Sequence, residues 1–300
     1  MRDVEYFAVV AEHGHVGRAA EALGLSQPAL SRSLRRLESS MQAKLVTRTP
    51  KGVELTTVGS ALLNRVRHLR LAVDDVVREA GDLSRGAAGH LRIGVGPVIA
   101  EHFLPRACSA LFKSAPKITV KTTIAHHHVL LPALLNGEFD LLLSGIPTAD
   151  HPSLAHEHLY DDEFAIIAST LHRLAARKWV TLADLMLERW ASSSQNVAWQ
   201  SLQRAFEQNR LALPNLALDV SATLLMLQVV AASDLVGFAS KGVLQQAQPR
   251  LRVVELRVKG LQWSRRVGVS YRNNAYLSPA ALRFIEIVKS IAKDIAQDKA

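Results

Sequence analysis

Two short helical patterns meeting at a glycine constrain this chain more than any other feature. Residues 16–23 are alanine-rich and stop at Gly24. Ser26 then opens a second pattern as a good N-cap, with Pro28 in the first turn, where a missing N–H does no harm. Leu30, Leu34 and Leu37 form one apolar stripe on that second helix. Ala20 is small where two helices must approach closely, and Gly24 sits where positive φ is needed. Leu25 and Leu30 are apolar where the second helix packs on the first. Together these requirements predict a helix-turn-helix over Val16 to Arg35. Val4, Phe7, Ala8, Val10 and Ala11 recur at helical spacing and predict a preceding helix that Gly14 ends.

The face opposite the leucines carries Gln27, Pro28, Ser31, Arg32 and Arg35. Gln pairs with adenine edges, Arg with guanine, and Ser with either or with phosphate, so this face suits a major groove. Arg36, Arg48 and Lys51 suit phosphates, which position a protein without reading sequence. Residues 26–51 hold six basic side chains against one acid, Glu38, and that net +5 is more than half of the chain's +9. A solvated arginine face is the competing explanation, and it leaves the coincidence of pattern, turn and charge unexplained.

Two short strands, 44–48 and 52–55, are expected around the turn Thr49-Pro50-Lys51-Gly52. Thr56 or Thr57 then caps a helix reaching about Leu83. Leu62, Leu63, Val66, Leu69, Val73, Val76 and Val77 repeat along it at three- and four-residue steps. Such a stripe must bury itself, and a second copy of the chain is the natural cover. Two recognition helices related by a two-fold axis would also read a pseudo-palindrome.

Residues 84–89, Ser-Arg-Gly-Ala-Ala-Gly, read as a linker. Beyond them strands and helices alternate, which predicts α/β packing. Strands are expected at 91–95, 118–124, 139–144, 164–168, 216–220, 235–239, 251–256 and 266–271. Helices are expected at 100–114, 129–136, 182–186, 197–209, 222–232 and 279–295. The longest nearly apolar run, 222–232, falls well short of the ~20 residues a bilayer demands, so no membrane partner is expected. The mixed charges of the first residues do not suit a secretory signal. A single cysteine, Cys108, excludes an intrachain disulfide and argues for a reducing, cytoplasmic setting.

The stretch AAEALGLSQPALSRSLRRLE followed by LVTRTPKGVELTTVG resembles the LysR-type bacterial transcriptional regulators. The motif covers residues 16–59, and the layout covers the whole chain. Val46 departs from it, standing where the family usually has phenylalanine, which should soften the wing without removing it. The resemblance implies a multi-domain α/β protein: an N-terminal winged helix-turn-helix (1–57), a long linker helix for dimerisation (58–89), and an effector-binding domain (90–300). That last domain would be a two-lobed, periplasmic-binding-protein-like sensor, with lobe one at 90–164 and 268–300 and lobe two at 165–267. The implied partners are double-stranded promoter DNA, a small-molecule effector, a second copy of the chain in a dimer or tetramer, and RNA polymerase.

Carrying the family's cleft positions over gives Pro97, Val98, Ile99, His126, Ser144, Ser193, Ser221 and Phe238 as effector contacts. No cofactor is expected beyond that organic effector, of which an acid is one form. Many relatives have Ser or Thr where Val98 stands, a departure that removes a carboxylate contact. Of His126, His127 and His128, one faces the cleft or all three are solvated. Adjacent histidines make a poor metal site, because they alternate on a strand and splay by ~100° on a helix.

Other chemistry finds little support. Asp161-Asp162-Glu163 reads as a surface turn. Gly94-Val95-Gly96 lacks the third spaced glycine of a dinucleotide loop, and Ser192-Ser193-Ser194 lacks a nucleophile elbow. Cys108 reads as a buried thiol. An enzyme and a purely architectural DNA-binding protein remain the rival classes.

Overall fold

α1 (Arg2–His13), α2 (Val16–Ala22) and α3 (Gln27–Ser40) pack around Phe7, Val10, Ala19, Ala20, Leu30 and Leu34. The chain is described from a computed structural model over residues 2–50, 52–85, 89–147, 151–261, 263–273 and 275–297. It divides into two compact units, Met1–Gly81 and Asp82–Ala300.

In the first unit the local signals operate as the residues suggest. Gly24 takes φ +65°, and the Leu25 N–H closes back onto the Ala20 carbonyl at 2.9 Å, the bond that ends a helix through a left-handed residue. The Ser26 hydroxyl accepts the Ala29 N–H, a cap worth about 1 kcal/mol. β1 (Val46–Thr49) and β2 (Gly52–Leu55) pair antiparallel as the wing, with Val46 half-buried in the core. Two glycines make the wing's docking possible. A Cβ on Gly52 would collide with the Gly14 carbonyl, and one on Gly59 with the Leu45 carbonyl.

α4 (Thr57–Arg85) starts under Thr56, whose hydroxyl accepts the Gly59 N–H at 3.0 Å and donates to the Lys44 carbonyl at 2.6 Å. Its apolar stripe divides. Leu63 and Val66 are buried inside this unit, whereas Leu69, Val73, Val76 and Val77 stand exposed. Of the expected linker, residues 86–88 lie outside the described residues, while Ser84 and Arg85 still belong to α4.

The second unit runs β3 (His90–Val95), α5 (Pro97–His102), α6 (Leu104–Ser114), β4 (Thr119–Ile124), α7 (His127–Leu135), β5 (Leu141–Gly145) and β6 (Leu154–Ser169). There follow α8 (Leu182–Met186), β7 (Arg189–Ser192), α9 (Val197–Gln208), β8 (Asn215–Asp219), α10 (Thr223–Ala231), β9 (Val236–Ser240) and α11 (Lys241–Ala247). β10 (Val253–Leu256), β11 (Trp263–Arg272) and α12 (Pro279–Gln297) complete it. Among the described residues the strands form one sheet in the order β4-β3-β5-β11-β6-β9-β7-β8, with β10 against β6.

Parallel triplets, β4-β3-β5 and β9-β7-β8, form the two ends, and the antiparallel pair β6 and β11 runs between them. One lobe has its core around Leu91, Ile93, Phe103, Leu143 and Phe284, and the other around Trp190, Trp199, Phe206 and Phe238. Helices cover both sides of each triplet, so the inner strands β5 and β9 are buried nearly throughout, Leu141, Leu142 and Leu143 fully so, whereas the edge strands β4 and β8 keep exposed polar residues.

Several expectations need correction. The single helix over 100–114 is two helices parted at Phe103. Pro105 lacks the N–H that a continuous helix would use there, and the fully buried Phe103 anchors the break. The acidic run 161–163 is not a surface turn but lies inside β6. Asp162 is buried and accepts from Arg265 at 2.9 Å, directly across the ladder on β11. β6 therefore runs far beyond the expected 164–168, its first half disguised by charged and histidine residues. The strand β7 and the helix α11 were not anticipated, being four and seven residues long.

Candidate DNA-binding face and effector cavity

Gln27, Pro28, Arg32, Arg35 and Arg36 are exposed along α3, and Arg48 is exposed on β1. Ser31 is not on that face: it is buried, as are Leu34 and Glu38, three and seven residues on. The buried side of α3 is thus wider than its leucine stripe, and the hydroxyl is withdrawn from the groove-facing set. Lys51 lies outside the described residues.

The arginines divide into two kinds. Arg36 donates from Nε to Asp3 of α1 at 2.6 Å, and the Ser33 hydroxyl donates to the same carboxylate at 2.6 Å. Those hydrogen bonds hold the Asp3 carboxyl down at about 2. Arg32, Arg35 and Arg48 have no ion pair among the described residues. Their charge is left for an external anion, while that of Arg36 is partly spent on joining α1 to α3.

Glu38 is the functional residue that charge counting undervalued. Burial works against its charge, but bonds from Lys44 Nζ at 2.9 Å and the Leu45 N–H at 3.0 Å prevail, and its carboxyl sits below the usual range. The one acid of the basic segment thereby ties the end of α3 to the entrance of the wing. Its contacts with Lys44 and Leu45, six and seven residues on, are what the sequence alone did not show.

In the second unit a cavity of about 770 Å³ opens between the two lobes, a size suited to a small organic ligand. Pro97, Val98, Ile99, His126, Ser144, Ser193, Ser221 and Phe238 all line it. The fold brings together residues from both lobes because α5, α7 and α9 each begin at the end of a parallel strand, where connecting loops converge. Arg204, Arg265 and Arg266 also line it and were missed. They lie on α9 and β11, far in sequence from any motif. Arg265 lies against the Phe164 ring, 4.7 Å from its centroid, while bonded to Asp162.

The three histidines separate by role. His126, the residue before α7, meets the Ser193 hydroxyl across the cavity at 3.1 Å. His127 meets Ser144 at 3.2 Å, and the His126 and His128 rings stack at 6.2 Å. Burial lowers the pKa of His126, with His128 adding to the effect and Asp219 opposing it. Burial also lowers that of His127, helped by His156 and His128. All three line the cavity, His126 and His127 half-buried and His128 exposed. No group of three metal-ligating side chains is present among the described residues. Cys108 is half-buried, and burial pushes its thiol up, away from reactivity.

A basic recognition helix, a wing and a two-lobed sheet domain with an inter-lobe cavity describe a ligand-sensing DNA-binding protein. The chain matches the "Bacterial regulatory helix-turn-helix protein, lysR family" over residues 1–60 and the "LysR substrate binding domain" over residues 84–293. It belongs to the LysR family of transcriptional regulators, with a DNA-binding helix-turn-helix and an effector-binding domain.

Among its relatives is the SDS degradation transcriptional activation protein of Pseudomonas sp. (strain ATCC 19151), 30% identical over 94% of this chain and 92% of that protein. Full-length CbnR complexed with its target DNA superposes with a TM-score of 0.53 at 25% identity, covering 97% of this chain and 99% of CbnR. The regulatory domain of Synechocystis PCC6803 CcmR in complex with 2-PG shares the fold of the sensor. It has a TM-score of 0.61 at 19% identity, over 69% of this chain and 98% of that domain. No described helix is long and apolar enough to cross a membrane.

Proposed function

We propose that α3 enters the major groove of a promoter, with Ser26, Gln27, Pro28, Arg32 and Arg35 at the base edges, and with Arg36, Arg48 and Lys51 on phosphates. The observation that carries this reading is the exposed set Arg32, Arg35 and Arg48, without an ion pair among the described residues, on one helix and the adjoining wing. The inter-lobe cavity takes a small organic effector. An effector that binds two arrangements of the protein with different affinity shifts their balance and with it the spacing of the recognition helices.

The working boundaries are residues 1–57 for DNA binding, 58–89 for the linker helix and 90–300 for the sensor, with lobes 90–164 plus 268–300 and 165–267. The exposed Leu69, Val73, Val76 and Val77 of α4 bury against a second copy, and dimers pair into a tetramer. The protein acts in the cytoplasm, where promoter and RNA polymerase meet, and it regulates rather than catalyses.

The test is a salt series with a promoter fragment. Affinity falls steeply with salt if phosphates are contacted. Arg32→Ala weakens the specific site more than random DNA; equal loss on both removes Arg32 from base readout. An effector that binds but leaves promoter affinity unchanged breaks the coupling.

A further inference from the structure

Beyond its place in the fold, the cavity has a chemical bias. None of its lining residues is a carboxylate among the described residues, and it is lined by three histidines and three arginines. On α5 the cavity is lined by Pro97, Val98 and Ile99, so the α5 side is apolar. Val98, Val220 and Met226 pack on one core cluster and give the cavity an apolar side, and Phe238 lines it from the other face of β9.

One polar group lining the cavity has no partner among the described residues. Ser192, the last residue of β7, is only 3% exposed, lines the cavity, and its hydroxyl makes no hydrogen bond among the described residues. Its neighbour Ser193 already engages His126. The Ser192 carbonyl is engaged, accepting the Val220 N–H at 2.8 Å. A buried hydroxyl left open forfeits the hydrogen bonds it makes with water in the unfolded chain, and such a cost persists in a binding site because the ligand removes it.

We propose that the effector is amphipathic, with one oxyanion held by the Ser192 hydroxyl and the His126 imidazole, and an apolar body lying over Val98 and Met226. This rests on the reading of the cavity as the effector site. His126 would leave Ser193 and turn to the anion. The charged and titratable groups around that pole are His127 and His128 on α7, Asp219 on β8, which accepts the Ser194 N–H, His156 on β6 and Arg204 on α9. Since burial keeps His126 from its proton in the empty site, anion binding raises its pKa, takes up a proton, and is tighter at pH 6 than at pH 8.

Calorimetry on the full chain tests this with hexanoate, phenylacetate, the amides of both, and inorganic phosphate. The carboxylates bind at least about tenfold tighter than the amides, and Ser192→Ala and His126→Gln each weaken them about tenfold. Ser192→Ala leaves the unliganded Tm unchanged or higher, because it removes an unpartnered group. Phosphate binding without the carboxylates would place the anion on a different ligand class and overturn the amphipathic body. The proposal also falls if amides bind equally well, if Ser192→Ala leaves carboxylate affinity intact, or if no carboxylate binds at millimolar concentration. A neutral compound that binds and shifts promoter affinity would overturn the anion while leaving effector sensing in place. A carboxylate that binds as expected yet never alters promoter affinity would do the reverse.

Discussion

The two units treat their polar side chains in opposite ways. Around the recognition helix, internal polar groups are closed on one another: Glu38 on Leu45 and Lys44, Asp3 on Arg36 and Ser33, Thr56 on Gly59 and Lys44. Around the inter-lobe cavity they are held loosely or left open, as Ser192, His126 and Ser193 are. A surface that must match a regular duplex benefits from being fixed beforehand, since ordering it on binding would cost affinity. A cavity that changes state with a ligand needs groups whose best partner is the ligand.

The strongest way to break that contrast is at the tightest contact of the first unit. Gly59→Val would drive a side chain into the Leu45 backbone, and a loss of about 3 kcal/mol in the unfolding of that unit is expected in urea titrations. A wild-type midpoint would show that the wing is not pinned there. Next comes Glu38→Ala, which leaves the Leu45 N–H buried without its acceptor and should cost about 2 kcal/mol by the same measurement.

Arg32→Ala follows, at roughly 1–3 kcal/mol of promoter affinity with no loss of fold. Smaller still is Asp3→Asn. It releases Arg36, so non-specific DNA affinity should rise and the salt slope steepen by about one unit; a slope that stays put would mean Arg36 never reaches a phosphate. The same pair gives a pH signature. The Asp3 carboxyl lies at about 2 in the folded chain against an ordinary 3.8, because of the bonds from Arg36 and Ser33. Its contribution is therefore whole above pH 4 and lost as the pH falls toward 2, and Asp3→Asn should remove that part of the acid transition. Smallest is Ser193→Ala, which removes the bond to His126 and should lower the sensor's stability by about 1 kcal/mol or less.

Legibility in the sequence follows the same divide. Gly24, Ser26, Pro28 and the leucine stripe act within a few residues of themselves, so the helix-turn-helix could be read directly. So could the alternation that makes the second unit α/β. Ser31 was misplaced because helical spacing shows where the stripe lies but not how wide the packed face becomes. The extent of β6 was hidden for a related reason: Asp162 looks like a turn residue until Arg265, over a hundred positions away, is known to lie opposite it. The cavity residues near strand ends could be named from the family pattern, whereas Arg204, Arg265, Arg266 and the open hydroxyl of Ser192 could not.

The order of amino acids alone determined a basic helix after a glycine corner, a wing, a long amphipathic helix and an alternating α/β remainder. These depend on backbone preference and on periodicity, which neighbours in the chain impose on one another. Tertiary structure decided which charges are spent and which are free. Arg36 is tied to Asp3, Arg265 is neutralised by Asp162, and Ser192 waits without a partner among the described residues. Such pairings depend on separations of a few ångströms between groups remote in sequence, and only the assembled sheet and helices set those distances.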